Sequence, residues 1–496
     1  MKMCFISIGV LLAVGLQGCM ITPRARTSDL SIPETWSDVP ASETKQAASP
    51  PVRPPADLTR WWTTLNDPLL LSLIEKAVHA NLDVQEAEAR IREARAVRTI
   101  VAADAWPSLN VLGSYTRSRR SENVISTPSS IPGGENGGSS GSAFGFNGEQ
   151  DFFQSSFDAS WELDVFGRVR WSVEAAEEDI AAAEENRSDV LVTLLADVAR
   201  NYVELRGFQY RLAIAHENIA AQEESLEIAR ARFQAGVTSE LDAAEAQSLL
   251  ASTRAQVPPL ERGVRQSIYR LGVLLGQAPG TLLETLSPQA PIPQAVLDGA
   301  IGLPSDLLRR RPDIRRAERE LAAATAQIGV ATADLFPRFS LTGVLGLQSL
   351  DITDLAEWPS RFWTTGAAIR WPIFDAGRIR ANIRRQDALQ EQALFRYEST
   401  ILRSLEEVEN ALVGYAQEQE RRQLLIAAVQ ADQAALDLAT ERYTGGLTDF
   451  LNVILAQRAL YISQDALAQN ETSVIVQLLT LYKALGGGWE VYAPNA

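Results

Sequence analysis

Four segments of the chain alternate between apolar and polar residues with a period of two. In the segment 152–165, Phe153, Phe157 and Trp161 lie on one face, while Asp158 and Glu162 belong to a wholly polar opposite face. Similar patterns occupy the segments ~106–118, ~336–348 and ~362–374. Alternation of this kind predicts β-strands, and about ten residues is also the length of a tilted transmembrane strand. Half-buried strands of a soluble sheet alternate in the same way, so the pattern alone leaves both interpretations open.

Two long helical runs follow the second and the fourth of these segments. Between Arg168 and Phe233 one glycine and no proline interrupts the sequence, and the same is true between Arg378 and Tyr443. Each run predicts a helix of about 66 residues, or roughly 100 Å. Apolar residues recur every seven positions, which is the periodicity of a coiled coil. The positions are Val198, Leu205, Leu212, Ile219, Leu226 and Phe233 in the first run, and Val408, Tyr415, Arg422, Val429, Leu436 and Tyr443 in the second, where Arg422 is the polar exception.

A tight turn and a return helix are predicted after each long helix. Gly236 and Gly446 supply the residue type that most often closes a helix. Thr238 and Thr448 follow two residues later. Thr238 is followed by Ser239 and Thr448 by Asp449, and all four are residue types that cap the start of a helix. The sequence therefore predicts two helical hairpins.

The same features recur in the same order in the two halves of the chain. "FQAGVTSELDAAEAQ" at 233–247 corresponds to "YTGGLTDFLNVILAQ" at 443–457, and "DAWPSLNVLG" at 104–113 corresponds to "DLFPRFSLTG" at 334–343. The chain is therefore predicted to be two copies of one unit. The first copy carries extra residues between its two strands, where a Gly- and Ser-rich stretch predicts a loop.

These patterns predict four parts of the chain. A signal peptide occupies 1–18, a lipidated N-terminal strap 19–60, a first repeat 61–286 and a second repeat 287–496. The first repeat holds the strands ~106–118 and ~152–165 and long helices over ~168–275; the second holds the strands ~336–348 and ~362–374, long helices over ~377–485 and the C-terminal tail.

The N-terminus carries a charged residue, Lys2, and then an apolar run from Phe5 to Leu16. About a dozen apolar residues is the length of a signal-peptide core and is too short for a transmembrane helix. Cys19 follows in "LQGC", which resembles the bacterial lipobox, so Cys19 is predicted to carry a covalent lipid. The residue after it is Met20 and not aspartate, which favours the outer membrane. The alternative is an ordinary secretory signal with an incidental cysteine.

The composition argues against several functions. A net charge of −16 over 496 residues argues against nucleic acid as a partner, because phosphate binding relies on excess Lys and Arg. Of the two cysteines, Cys4 lies in the leader and Cys19 is the predicted lipid attachment site, and His79 and His216 are the only histidines. We therefore predict no metal site, no catalytic residue and no cofactor other than the lipid on Cys19. "GGSSG" at 137–141 matches a nucleophile-elbow pattern, but it lies in the polar loop and not at a strand-to-helix turn.

Four strands cannot close a membrane barrel, because the smallest known barrels have about eight. An open edge cannot face lipid, since its N–H and C=O groups would have no partners. Strands from several chains must therefore be combined. Two chains would supply about eight strands and three chains about twelve, and only the larger number leaves an appreciable pore.

The chain resembles the TolC-like outer-membrane efflux channel family, in particular its lipoprotein subgroup of the OprM/NodT type. The duplicated D-x-x-P entries to the hairpins, at 104–107 and 334–337, and the ending "LYKALGGGW" at 481–489 carry the resemblance. It implies a mainly α fold with a transmembrane β-barrel, in which two repeats each form a β-hairpin and a long α-helical hairpin. A homotrimer would form a twelve-stranded barrel in outer-membrane lipid and an α-helical tunnel in the periplasm. The family catalyses no reaction. It exports small solutes such as drugs or metals, which an inner-membrane pump, here of the RND type, delivers through a periplasmic adaptor.

The resemblance also implies roles for residues at the helical turns. Tyr443 would bond to Asp242 and hold the periplasmic end shut, since a bond from a hydroxyl to a carboxylate is charge-assisted. The alternative is that Tyr443 merely ends the heptad seam. The family carries an acidic ring at the positions of Asn452 and Leu455, so this chain departs from it and keeps Asp242 and Glu245 in the first repeat.

Leu451 and Leu455 share one helical face and would form an apolar constriction in place of that ring, or else belong to the seam. Gly236, Thr238, Gly446 and Thr448 would contact the adaptor at the tip. Two other functions stay open at this point. One is a channel for type I protein secretion, and the other is a lipid-anchored periplasmic coiled-coil scaffold without a pore.

Overall fold

The structure is a computed structural model that describes residues 22–33, 35–36, 58–119, 149–295 and 304–492. Cys19, most of the predicted strap and the Gly- and Ser-rich stretch between the first two strands lie outside the described residues. The chain forms two compact units. The first contains the described residues within Met1–Ala25, Ala96–Glu177 and Ala323–Leu389, and the second contains those within Arg26–Arg95, Glu178–Ala322 and Gln390–Ala496.

The first unit is built around a four-stranded antiparallel sheet. Its strands are β1 (Ser108–Arg119), β2 (Glu149–Leu163), β3 (Arg338–Ser349) and β4 (Arg361–Arg370), in the spatial order β1-β2-β3-β4. Each strand pairs with the next one in sequence, so β1 and β4 are the two edges of the sheet.

One row of side chains crosses the whole sheet and is apolar at every position. The register places Val111 opposite Phe157, Phe157 opposite Leu345, and Leu345 opposite Trp363. All four side chains are more than half exposed in the single chain. Neighbouring positions within a strand point to opposite faces, so this row marks an uncovered apolar face of the sheet.

The last strand is shorter than its alternating pattern predicts. The alternation continues to residue 374, but β4 ends at Arg370. Pro372 has no backbone N–H to donate to a neighbouring strand, which explains the early end. The side chain of Trp371 turns instead to the backbone, and its Nε1 donates to the carbonyl oxygen of Leu335 at 3.0 Å. Trp161 makes the matching contact in the first half, from Nε1 to the carbonyl oxygen of Ala105 at 2.9 Å.

Eight helices of more than three turns account for most of the remaining described chain. They are α1 (Pro68–Ala80), α2 (Leu82–Ala103), α3 (Arg168–Gln234), α4 (Glu240–Arg254), α5 (Val257–Leu274), α6 (Pro312–Ala333), α7 (Arg378–Thr444) and α8 (Phe450–Ala484). The two long helices, α3 and α7, have 67 residues each. Within the described part of the chain, none of the helices combines the length and the apolar character that crossing a membrane requires.

The two return segments differ from each other. After α7 the return helix α8 runs for 35 residues without a break. After α3 the return path is divided into α4, which ends at Arg254, and α5, which begins at Val257. The division occurs here because Pro258 and Pro259 cannot lie in the interior of a continuous helix. Proline is tolerated in the first turn of a helix and not in its interior, so the second piece starts anew at Val257.

The second unit has a large apolar core that includes the two tryptophans before α1. Trp61 and Trp62 lie in a 3₁₀ segment, Leu58–Leu65, and both are buried. The ring of Trp61 stacks on Tyr482 with a centroid distance of 5.4 Å, and that of Trp62 stacks on Tyr492 at 6.1 Å. These rings pack inside the helical unit and are not available to a membrane interface.

A short described piece of the N-terminal strap lies against α7. Arg26 forms an ion pair with Glu391 at 3.4 Å. The hydroxyl of Ser28 donates to Glu398 Oε1 at 2.9 Å, and Leu30 packs against the core of the second unit. The strap is therefore attached to the long helix of the second half in this stretch.

Candidate functional site at the helical turns

The two helical turns have the same backbone geometry. Gly236 and Gly446 both have a φ of +71°, a conformation that side-chain-bearing residues adopt only with strain. Val237 N donates to the carbonyl oxygen of Arg232 at 2.9 Å, and Leu447 N donates to that of Arg442 at 2.8 Å. This is the Schellman arrangement with glycine directly after the helix, as the sequence predicted for α3 and α7.

Tyr443, at the end of α7, belongs to a small apolar core beside these turns. Its side chain is 4% exposed, and its ring lies 4.9 Å from that of Phe450, the first residue of α8. Residues from all four helices of the two hairpins surround the pair: Leu226 and Ala229 of α3, Ala246 and Leu250 of α4, the partly buried Leu436 and Ala439 of α7, and Val453 and Ile454 of α8. The core therefore joins the first hairpin to the second.

The hydrogen bond that was expected between Tyr443 and Asp242 is absent, although the structure describes both residues. The Tyr443 hydroxyl is buried and has no hydrogen-bond partner among the residues that the structure describes. Asp242 lies in the first turn of α4, where its charge is favourable to the helix dipole, and it is only partly buried. The two hairpins are held together here by other groups.

Arg232 takes the place of that bond. Its guanidinium carbon lies 4.4 Å from the centre of the Tyr443 ring, which is a cation–π distance. Its Nη1 also donates to the carbonyl oxygen of Tyr443 at 3.0 Å. The sequence patterns did not single out Arg232, although it directly precedes Phe233, the last residue of the predicted seam.

A signal for Arg232 was nevertheless present in the sequence. Polar contacts of α3 with the second hairpin recur every seven residues, which keeps them on one helical face. Arg211 Nε donates to Asp465 Oδ1 at 2.7 Å, Asn218 Nδ2 to Gln464 Oε1 at 2.8 Å, and Gln457 Nε2 to the Ser225 hydroxyl at 2.7 Å. Arg232 is the next position in this series.

Asn452 is turned back to the turn that precedes it. Its Nδ2 donates to the hydroxyl of Thr448 at 2.7 Å. Asn452 and Thr448, two of the predicted site residues, thus contact each other. The Asn452 amide therefore has a hydrogen-bond partner within its own hairpin. Thr238, the counterpart of Thr448 in the first hairpin, has a buried hydroxyl without a partner among the described residues.

Leu451 and Leu455 form an uncovered apolar strip on α8. They are 47% and 53% exposed, whereas Val453 and Ile454 between them are buried in the small core. With Glu245 of α4 they line an open groove of about 750 Å³. The structure therefore brings Glu245, Leu451 and Leu455 to one surface, and the acidic and apolar candidates lie side by side.

Asp465 also lines the groove and forms an ion pair with Arg211 at 2.7 Å, in which both side chains are largely shielded from solvent. Burial raises the pKa of the neighbouring Tyr461, and the negative charge of Asp465 adds to this effect. Within the described ranges, no three His, Cys, Asp or Glu side chains come together as a group that could hold a metal ion.

Comparison with known proteins identifies the family. The sequence profile described as "Outer membrane efflux protein" matches residues 73–277 and 303–487. Nodulation protein T of Rhizobium leguminosarum bv. trifolii is 31% identical over 479 residues, which cover 96% of each chain. The toluene efflux pump outer membrane protein TtgF of Pseudomonas putida is 32% identical over 493 residues, which cover 99% of this chain and 98% of the relative.

The same conclusion follows from solved structures. The outer-membrane channel OprN matches with a TM-score of 0.83 and 36% identity, over 95% of this chain and 100% of that one. The chain belongs to the outer membrane efflux protein family. It is an efflux channel protein of the outer membrane, as the resemblance predicted, and its family is one of transport proteins and not of enzymes.

Proposed function

We propose that three copies of this chain form one channel, in which twelve strands close a barrel in the outer membrane and the long helices form a periplasmic tunnel. The channel receives solutes from an inner-membrane pump of the RND type through a periplasmic adaptor. The open sheet is the single observation that carries this proposal. Its edge strands β1 and β4 have no second neighbour among the described residues, and lipid cannot satisfy their backbone groups.

The apolar row on the sheet supports the same assembly. Val111, Phe157, Leu345 and Trp363 lie side by side across the four strands and are exposed in the single chain. Four exposed apolar side chains in one row are expected on a surface that faces lipid. They are not expected on a surface that faces water. Pairing β4 of one copy with β1 of the next would continue the row around a closed barrel.

Each chain contributes two repeats, 61–286 and 287–496. Three observations support this division. The long helices have equal lengths, the turns after them share the same glycine conformation, and Trp161 and Trp371 make the same indole-to-carbonyl contact. A trimer would then present six similar helical hairpins, which is a suitable geometry for a tunnel.

The tip of the tunnel is closed by an apolar constriction. Leu451 and Leu455 supply it, because they are exposed and Asn452 is bonded to Thr448. Asp242 and Glu245 give the first repeat an acidic rim beside it. The turns at Gly236, Thr238, Gly446 and Thr448 meet the adaptor.

A lipid on Cys19 holds the N-terminus at the outer membrane, and the strap leads from there to α7. Cys19→Ser should abolish incorporation of labelled palmitate, while Cys4→Ser, which changes the discarded part of the leader, should leave it unchanged. Labelling of the Cys19→Ser protein would refute the anchor.

Small solutes are the proposed cargo. One relative is named for the efflux of toluene, a small aromatic hydrocarbon, and the constriction proposed here is apolar as well. The pump selects the cargo, and the channel passes what it receives.

The first experiment is the oligomeric mass of the mature protein after extraction from outer membranes in mild detergent. A mass of three chains, together with conductance in planar lipid bilayers, would support the channel. A monomer released from the membrane by removing the lipid alone would refute it and leave a tethered scaffold.

A further inference from the structure

The contact between Arg232 and Tyr443 uses the face of the ring and the backbone, and it does not use the hydroxyl. The guanidinium lies 4.4 Å from the ring centre and donates to the Tyr443 carbonyl oxygen at 3.0 Å. The hydroxyl is buried without a partner among the described residues. A phenylalanine in this position would therefore offer an arginine the same surface.

The other half of the chain contains the same pair of residue types, exchanged between the hairpins. In the two copies of the repeat, Arg232 corresponds to Arg442 and Tyr443 corresponds to Phe233. Arg232 of the first hairpin covers Tyr443 of the second within one chain. The counterpart of this contact would join Arg442 of the second hairpin to Phe233 of a first hairpin.

Within the described part of one chain that counterpart contact is not made. Phe233 is 42% exposed, although it occupies a seam position, whereas Tyr443 at the equivalent position is 4% exposed. The Arg442 side chain is exposed and forms no ion pair or hydrogen bond with any described residue. An aromatic ring and a cation of the matching types are thus left open at the same level of the two hairpins.

We propose that Arg442 stacks on Phe233 of the partner subunit. The inference rests on the proposed trimer, in which first and second hairpins alternate around the tunnel. In such a ring, the first hairpin of each chain contacts the second hairpin of the same chain. The second hairpin contacts the first hairpin of the neighbouring chain. Six contacts between an arginine and an aromatic ring then close the tip, three within chains and three between them.

The chemistry of the pair suits this position. A guanidinium stacks on an aromatic face better than an ammonium, and it remains charged at any pH that the periplasm reaches. Such contacts favour the bound state by about fivefold at an exposed site and about thirtyfold when water is excluded. Contacts of this size hold a tip closed and still allow an adaptor to open it.

Crosslinking tests the contact directly. Phe233→Cys and Arg442→Cys are combined in one chain. A bifunctional thiol reagent is then added to the assembled protein in mild detergent. Its reach is about 8 Å, which is twice the distance at which apolar heavy atoms touch. We expect covalent dimers and trimers on a denaturing gel. Arg232→Cys with Tyr443→Cys should react within the chain and leave the mass unchanged, and each single variant should give no product.

Ala231→Cys with Arg442→Cys is the matched control, because Ala231 faces away from Phe233 on α3. Two results would overturn the inference. One is that the control pair forms crosslinked trimers as readily as the test pair. The other is that the test pair forms none in a sample whose native mass is that of a trimer. A native mass of one chain would instead refute the proposed trimer, and the contact with it, so the two failures can be told apart.

Conductance tests the role of the contact. Arg442→Gln and Phe233→Ala should each raise the open probability in planar bilayers about fivefold or more, while Phe233→Tyr should keep it low because the ring face is retained. Arg230→Gln, an exposed neighbour that pairs with Glu227, should have no effect. An open probability for Arg442→Gln equal to that for Arg230→Gln would refute the role at the tip.

Discussion

The hydroxyl of Tyr202 is the centre of a buried polar network in the helical unit. The hydroxyl of Tyr202 donates to Asp67 Oδ2 at 2.6 Å and accepts from Arg206 Nη2 at 3.2 Å. Arg206 is buried, and its Nη1 also donates to Gln209 Oε1 at 2.6 Å and to the carbonyl oxygen of Pro288 at 2.9 Å. Asp67 caps α1 with its other oxygen. The Tyr202 hydroxyl therefore links a buried cation to a helix cap.

The magnitude follows from the hydrogen bonds of the Tyr202 hydroxyl. Tyr202→Phe removes two hydrogen bonds to charged groups, each worth about 1.5–3 kcal/mol, so it should destabilise the unit by at least about 1.5 kcal/mol. Burial, with the hydrogen bond to Asp67 as the next cause, raises the pKa of Tyr202 to about 12. The raised pKa means that the fold favours the protonated hydroxyl over the phenolate.

The pH dependence has a definite sign. Because the pKa of Tyr202 is higher in the folded chain than in the unfolded chain, the folded state retains the proton longer. The contribution of the hydroxyl is complete below a pH of about 10 and is lost as the pH rises to about 12. The difference in the free energy of unfolding between wild type and Tyr202→Phe should shrink over that interval and be constant below it.

Denaturant unfolding in detergent at a series of pH values measures this difference, and the subtraction cancels the other tyrosines. Tyr269→Phe is the matched control, because Tyr269 lies at the surface and makes no hydrogen bond in the described structure. It should leave stability unchanged at every pH. A difference for Tyr202→Phe that stays constant from about pH 8 to about pH 12, or one below about 0.5 kcal/mol at neutral pH, would show that the hydroxyl does not join the network as described.

Three further predictions concern the helical hairpins. Gly446→Ala should lower the free energy of unfolding by about 1–2 kcal/mol in denaturant titrations, because the space around Gly446 is open but its φ is +71°; no change would exclude strain at this turn. Asp465→Asn should cost about 1–3 kcal/mol and lower Tm, because Arg211 loses its charged partner; an unchanged Tm would make the pair dispensable. Leu455→Asp should leave stability unchanged, since the side chain is half exposed, and should raise cation selectivity in bilayers; unchanged selectivity would place Leu455 away from the pore.

Alternation of residues was sufficient to find the strands, because a sheet with one apolar and one polar face leaves a period of two in the sequence. It did not find where β4 ends, since Trp371 and Ile373 continue the apolar pattern. Hydrogen bonding decided the end, and Pro372 lacks the necessary donor. The register, which aligns Val111 and Trp363 in one row, depends on how distant strands pair and is not written in any single segment.

Helix breakers explain the other differences in the helical unit. The first return segment was predicted as part of one helical region, but Pro258 and Pro259 divide it into two helices. The position of Trp61 could not be decided from its neighbours in sequence, because its partner Tyr482 lies far along the chain, in α8. Burial of this kind follows from tertiary packing, which a local pattern does not contain.

The tip shows most clearly why a residue-by-residue analogy is incomplete. The analogy placed Tyr443 at a contact between hairpins, but it assigned the contact to the hydroxyl and to Asp242. The structure assigns it to the ring face and to Arg232, whose heptad relation to Arg211, Asn218 and Ser225 was visible in the sequence. A seam defined by apolar residues alone overlooks such a polar series, since a long helix uses several faces at once. In the proposed trimer, the polar face that joins the two hairpins within a chain would also join one chain to the next.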